Sequence, residues 1–312
     1  MSAAGILLNK AGLMYTRRYQ KKTGNTLMYD SIYQKEEPFE ISGWKPPAGY
    51  TNTEVPLSKS RGFLLKRADT KTKRVVYQIH GGAYISAFSK SYNNTAVRYS
   101  RCFENSDVFS LDYRTAPEDV YPCALEDAQE GYLLLQDMGY APEDIIVCAD
   151  SAGGGLSLSL CMKLRDTGQK LPRALVLSSP WADLAAEGKS YQTKITSDVF
   201  FGSYDARIAP RYPVPVDYAG EYDLHEPYIS PVYGSFKGFP PMLIQTGENE
   251  LLLSDSETIA QKAKAEGVNA QLIVYPLMCH TFYIVVPQIS ESRKAWHTIA
   301  EFMEACTDGS KE

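Results

Sequence analysis

The stretch Cys148-Ala149-Asp150-Ser151-Ala152-Gly153-Gly154-Gly155 decides how this chain is read. Ile145-Ile146-Val147-Cys148 leads into it and has the length of a buried strand. Leu156 to Leu164 follows it with the length and composition of a helix. A serine held between strand and helix by small neighbours occupies a sharp turn that lifts its hydroxyl clear of a sheet. Gly153 leaves room for that turn, and the helix N-terminus behind it favours developing negative charge. Ala149 stands where such turns more often carry glycine. Alanine is the smallest substitute, so the motif is weakened and not removed.

Outward from this turn, short apolar runs alternate with amphipathic ones. Strands are expected at 63–65, 75–79, 108–111, 145–148, 174–177, 242–245 and 272–275, and helices at 93–103, 122–138, 156–164, 254–265 and 290–306. Gly267 supplies a C-terminal stop for the helix over 254–265. The alternation predicts an α/β fold with a mostly parallel sheet and helices on both faces. Two stretches break the rhythm. Residues 1–55 begin as an amphipathic helix and continue as a loose segment dotted with Tyr29, Tyr33, Phe39, Trp44 and Tyr50, and read as lying outside the sheet. Residues 181–228 carry Tyr191, Tyr204, Tyr212, Tyr218 and Tyr222 and read as an inserted lid. The core is then expected in two parts, 56–180 and 229–312.

Composition narrows the partners. A chain of 312 residues with 44% hydrophobic and 22% charged residues buries an ordinary soluble core. A formal net charge of -5 argues against nucleic acid as a partner, and no apolar run reaches the ~20 residues a membrane span needs. Lys10, Arg17 and Arg18 lie within or after the first apolar region, not before it as a secretory signal requires. Six cysteines with no CxxC pair and no metal-like spacing point to a reducing cytoplasm.

Serine needs a base to become a nucleophile, and histidine is the usual one. Of four histidines, His297 falls on the last helix and His225 in the inserted stretch, both expected at the surface. His80 opens a glycine turn. His280 remains, on the loop after the last strand. An acid must orient that base. After the strand at 242–245 come Glu248, Glu250 and Asp255. Glu250 is the first choice, while Asp255 beside Ser254 is better suited to the first turn of the next helix. The order Ser151, Glu250, His280 follows. His80-Gly81-Gly82-Ala83 directly after a strand offers backbone donors for an oxyanion, from Gly81 and Gly82 together with Ala152 after the nucleophile.

With these residues assembled, the chain resembles the hormone-sensitive-lipase-like esterases, the bacterial family IV of the α/β-hydrolase superfamily. The likeness rests on His80-Gly81-Gly82-Ala83, Asp112-Tyr113-Arg114-Thr115-Ala116-Pro117-Glu118, Pro122-Cys123-Ala124-Leu125-Glu126-Asp127, Asp150-Ser151-Ala152-Gly153-Gly154, Glu250 and His280, over roughly residues 60 to 305. The resemblance implies a helical cap made of residues 1–55 and 181–228, and a structural role for Asp112 to Arg114 near the oxyanion turn. It implies hydrolysis of a small-molecule ester, short to medium in acyl chain, with no metal and no cofactor. Glu250 stands where the family more often has aspartate. Relatives often dimerise, although no apolar stripe in this sequence demands a homodimer. Two other functions use the same scaffold: amide or peptide cleavage by the same triad, and ligand binding without catalysis, as in the plant gibberellin receptor. Retention of both Ser151 and His280 counts against the second.

Overall fold

A computed structural model describes residues 2–24, 43–69, 72–204 and 216–308. Tyr29, Tyr33, Phe39 and Tyr212, named above, lie outside the described residues. The sheet has eight strands: β1 Tyr50–Pro56, β2 Arg61–Arg67, β3 Val75–Ile79, β4 Asp107–Asp112, β5 Ile145–Asp150, β6 Ala174–Ser178, β7 Met242–Gly247 and β8 Ala270–Tyr275. Their order is β1-β2-β4-β3-β5-β6-β7-β8, antiparallel at the β1–β2 and β2–β4 seams and parallel from β4 onward.

Alternation of side chains along each strand explains the two helical layers. Tyr77, Ile79, Val147, Leu177 and Ile244 point to one face, packed under α3 Cys123–Asp137, α4 Ala152–Asp166 and α5 Leu253–Ala265. Val76, Val108, Ile146, Val176 and Leu243 point to the other, under α2 Lys90–Cys102 and α6 Ser290–Asp308. Every residue of β3, β5, β6 and β7 is buried. Each large apolar side chain buried this way stabilises the fold by ~1.5–3 kcal/mol, so these central strands read as mostly apolar runs, with Gln78 and Gln245 as buried polar exceptions.

One expectation is corrected. The stretch 1–55 does contribute to the sheet, because Tyr50–Pro56 pairs residue by residue with Arg61–Arg67. Its sequence, Tyr50-Thr51-Asn52-Thr53-Glu54-Val55-Pro56, offers no apolar alternation. Its place is set by the backbone ladder and the tight connection in which the Leu57 N–H donates to the Ser60 carbonyl at 3.0 Å. A polar strand ending in proline suits a sheet edge.

Helix α1, Ala3–Thr23, is the helix expected at the start of the chain, and it docks on the inserted stretch. The Thr16 hydroxyl donates to the Val199 carbonyl at 2.7 Å and the Gln20 amide to the Gly202 carbonyl at 2.6 Å. The two segments that break the α/β rhythm therefore touch. Among the described residues, no helix is long and apolar enough to cross a membrane.

Candidate active site

Strands β4 and β5 lie on opposite sides of β3, so the chain winds away in two directions from that point. A crevice opens at the carboxyl ends of strands where this happens. The loops after β3 and β5 carry His80-Gly81-Gly82 and Ser151, and those after β7 and β8 carry Glu250 and His280.

Ser151 has φ 52° and ψ -123°, which a side-chain-bearing residue adopts only when its surroundings force it. The forcing contacts are visible: the Ser151 N–H donates to the Ser178 carbonyl at 2.9 Å, and the Ser151 carbonyl accepts from Trp181 and Gly154 at 2.8 and 2.9 Å. A Cβ on Gly153 would fall 2.3 Å from the Ile79 carbonyl oxygen, so only glycine lets α4 start this close to β3. Ala149 explains itself. It lies inside β5, opposite Ile79 and Leu177, where an ordinary extended backbone needs no glycine.

Glu250 and His280 are brought together. The Glu250 Oε2 lies 2.8 Å from the His280 Nδ1, with the carboxylate fully buried and the imidazole nearly so. The other carboxylate oxygen accepts from the Ser179 hydroxyl at 2.9 Å, the Thr246 hydroxyl at 2.7 Å and the Gly247 N–H. The Phe201 ring packs edge-on against the imidazole, 4.9 Å between centroids. Asp255 lies in the first turn of α5, as expected, but its bonds go elsewhere. Its carboxylate accepts from the Ala182 and Asp183 N–H groups at 2.8 and 2.9 Å, so it braces the chain after β6. Burial raises its pKa well above the usual carboxylate range. Glu248 accepts from the Leu277 N–H at 3.0 Å and holds the loop before His280.

The turn after β3 runs through positive φ at Gly82, Ala83 and Tyr84 (112°, 57° and 62°). A Cβ on Gly81 would lie 2.5 Å from Asp150 Oδ2 and 2.9 Å from the Ser151 Cβ, so this turn rests directly on the nucleophile loop. Burial pushes the Asp150 carboxyl up to about 7 despite the nearby His280 charge. Gly81 is thus packed against Asp150. The N–H groups of Gly82 and Ala83 make no hydrogen bond to another described residue. His80 itself points away from the crevice: its Nδ1 lies 2.6 Å from the Gly81 carbonyl, and its ring stacks on Tyr113 at 4.2 Å. Tyr113 also donates to the His80 carbonyl at 2.9 Å, and Arg114 forks onto Asp127. His225 and His297 are exposed, paired with Asp223 and Glu301.

Three residues at the site have no motif in the sequence: Ser179, Thr246 and Asp198. Asp198, from the inserted stretch, accepts from the Leu251 N–H at 2.7 Å beside Glu250, and burial pushes its carboxyl up to about 6. Ser179 was findable, since it follows a strand end as the other site loops do. Tyr218 stacks face to face on Tyr84 at 3.8 Å, and Tyr191 is buried, whereas Tyr204 and Tyr222 are exposed. Between α1 and the loop before His280 lies an apolar cavity of about 360 Å³, lined by Gly12, Val199, Phe200, Met278, Cys279 and Phe282 among others. Its lining residues Cys279 and Phe200 directly precede His280 and Phe201.

Comparison with known proteins agrees with this architecture. Residues 75–284 match the family model of the α/β-hydrolase fold. The chain is 34% identical over 235 residues to an acetyl-hydrolase of Streptomyces hygroscopicus, covering 75% of this chain and 76% of that protein. It is 33% identical over 263 residues to the esterase LipU of Mycobacterium tuberculosis, covering 82% and 85%. Among solved structures, the hormone-sensitive-lipase homologue EstE7 from a metagenome library superposes with a TM-score of 0.79 at 27% identity, covering 98% of this chain and 99% of that one. Fold, site placement and relatives agree: the chain is a hydrolase of the α/β-hydrolase superfamily and belongs to the hormone-sensitive-lipase-like esterases.

Proposed function

We propose that this enzyme hydrolyses carboxylic esters of short to medium acyl chains through Ser151, His280 and Glu250, by way of an acyl-enzyme. The observation that carries the reading is the buried Glu250–His280 contact at the same sheet edge as the strained Ser151. His280 takes the Ser151 proton as the hydroxyl attacks the ester carbonyl and returns it to the departing alcohol. Glu250, bonded at Nδ1, leaves Nε2 as the basic nitrogen and stabilises the imidazolium. Water then releases the acid by the same proton shuttle in reverse.

The oxyanion is held by the N–H groups of Gly82 and Ala152. Ala83 takes the place of Gly81 as the third donor, because Gly81 is packed tightly against Asp150 and the Ser151 Cβ. Helix α1 and the stretch from Trp181 form the cap, and the apolar cavity between α1 and the His280 loop takes the alkyl part of the acyl group. Its volume of about 360 Å³ lies near the lower end of the roughly 300–1,000 Å³ typical of ligand pockets, which supports short to medium chains. All six cysteines are free thiols, which supports a place in the reducing cytoplasm.

Rates on p-nitrophenyl esters from acetate to long chains test this, with Ser151→Ala and His280→Ala beside the wild type. Activity on acetate and butyrate that both substitutions abolish is expected. A folded wild type inactive on every ester contradicts the proposal.

A further inference from the structure

The carboxyl tip of β6 touches all three loops of the proposed triad. The Ser178 carbonyl accepts from the Ser151 N–H at 2.9 Å. One residue on, the Ser179 hydroxyl donates to Glu250 Oε1 at 2.9 Å and accepts from the Thr281 N–H at 3.1 Å. A hydroxyl has one proton to give and lone pairs to receive, so both bonds form together. Ser179 is fully buried and its own N–H donates to the Gln245 carbonyl at 2.8 Å, so the side chain has no solvent alternative. Ser179 (φ 46°) and Thr281 (φ 47°) both take left-handed backbone, and the hydroxyl links these two strained residues. Thr246 and Gly247 bond the same carboxylate oxygen but belong to the acid's own strand. Among the donors to that oxygen, only Ser179 also bonds the loop that carries the base.

On the reading of Ser151, His280 and Glu250 as the triad, we infer that Ser179 is a positioning residue for the reaction. It turns one carboxylate oxygen away from the imidazole, leaving Oε2 for Nδ1, and fixes the residue after His280 to the same point. Removing the hydroxyl leaves the carboxylate with one hydrogen bond fewer, and it then draws the imidazole proton more strongly.

The test compares wild type, Ser179→Ala and Ser179→Cys, with active sites counted by a phosphonate titrant and the pH profile recorded for each. Ser179→Ala lowers kcat per active site by about 10- to 100-fold, the usual effect of removing a partner that orients a site ligand. KM stays within about twofold, because no substrate contact is lost, and the acid limb of kcat/KM moves up by about half a pH unit. Ser179→Cys, which keeps a weak donor, recovers part of the rate. Wild-type kcat and pH profile in Ser179→Ala overturn the inference, as does a loss fully explained by fewer titratable sites. Glu250→Gln separates this from the underlying reading: a fully active Glu250→Gln removes the triad itself, whereas an impaired one beside an unaffected Ser179→Ala removes only the role of Ser179.

Discussion

The Glu250 carboxylate meets the His280 imidazole at 2.8 Å, Oε2 to Nδ1, in a place neither side chain shares with bulk water. Glutamate is one methylene longer than aspartate, and Ser179, Thr246 and Gly247 hold its far oxygen. Glu250→Gln therefore lowers kcat by about 10³- to 10⁴-fold, the scale expected when the orienting acid is neutralised. Asp255→Ala is the contrast. It leaves kcat per active site within about threefold, yet strands the Ala182 and Asp183 N–H groups and lowers stability by about 2–4 kcal/mol. Steady-state kinetics and denaturant titration on the two variants distinguish these roles.

Two small-residue positions beside Ser151 behave oppositely. Gly153→Ala drives a methyl group to 2.3 Å from the Ile79 carbonyl and 2.5 Å from the His80 carbonyl, both backbone. We expect a loss of about 1–3 kcal/mol of stability, together with reduced activity as the turn over Ser151 shifts. Ala149→Gly puts a smaller residue into β5 yet costs about 0.5–1 kcal/mol through strand entropy, with activity unchanged. Urea melts and ester rates read both.

How legible this site was in the sequence follows from chemistry. Ser151, Glu250 and His280 each end or follow an apolar strand, so periodicity alone places them at one sheet edge. Edge strand β1 escaped because Thr51, Asn52, Thr53 and Glu54 carry no apolar alternation. Asp198 escaped because it reaches the Glu250 loop from an irregular segment far along the chain. Gly81 shows the finer limit. A glycine turn signals close backbone approach, and only the fold reveals that this glycine approaches Asp150 and the serine's Cβ.

Asp150 makes stability depend on pH. Burial raises its folded pKa to about 7, from an ordinary 3.8. The folded state then holds a proton that the unfolded chain releases, so the contribution to stability is complete below about pH 4 and is lost as pH rises toward 7. Asp150→Asn removes this dependence. Between pH 5 and pH 8 the wild type loses about 2–3 kcal/mol relative to Asp150→Asn, at about 1.4 kcal/mol for every tenfold change in acidity over which only the folded state stays protonated. Parallel denaturant curves at the two pH values check it; a constant difference between the proteins contradicts it.

On the proposed reading, the cavity beside α1 sets the chain-length preference. Gly12→Leu places an isobutyl group where its Cβ lies 2.9 Å from Val199 Cγ1, filling space that the acyl chain needs. Each methylene denied burial costs about 0.8 kcal/mol, so kcat/KM for hexanoate falls at least about 10-fold while that for acetate is nearly unchanged. An unaltered chain-length profile places the acyl group elsewhere.

Every step of the proposed mechanism rests on acylation of Ser151, which rapid-quench mass spectrometry during turnover of p-nitrophenyl butyrate reads at the residue itself. A butyryl group is expected on the peptide carrying Ser151, accumulating within one turnover and absent from Ser151→Ala. Continued hydrolysis by Ser151→Ala, or full wild-type turnover with the acyl group trapped on a different residue, contradicts it.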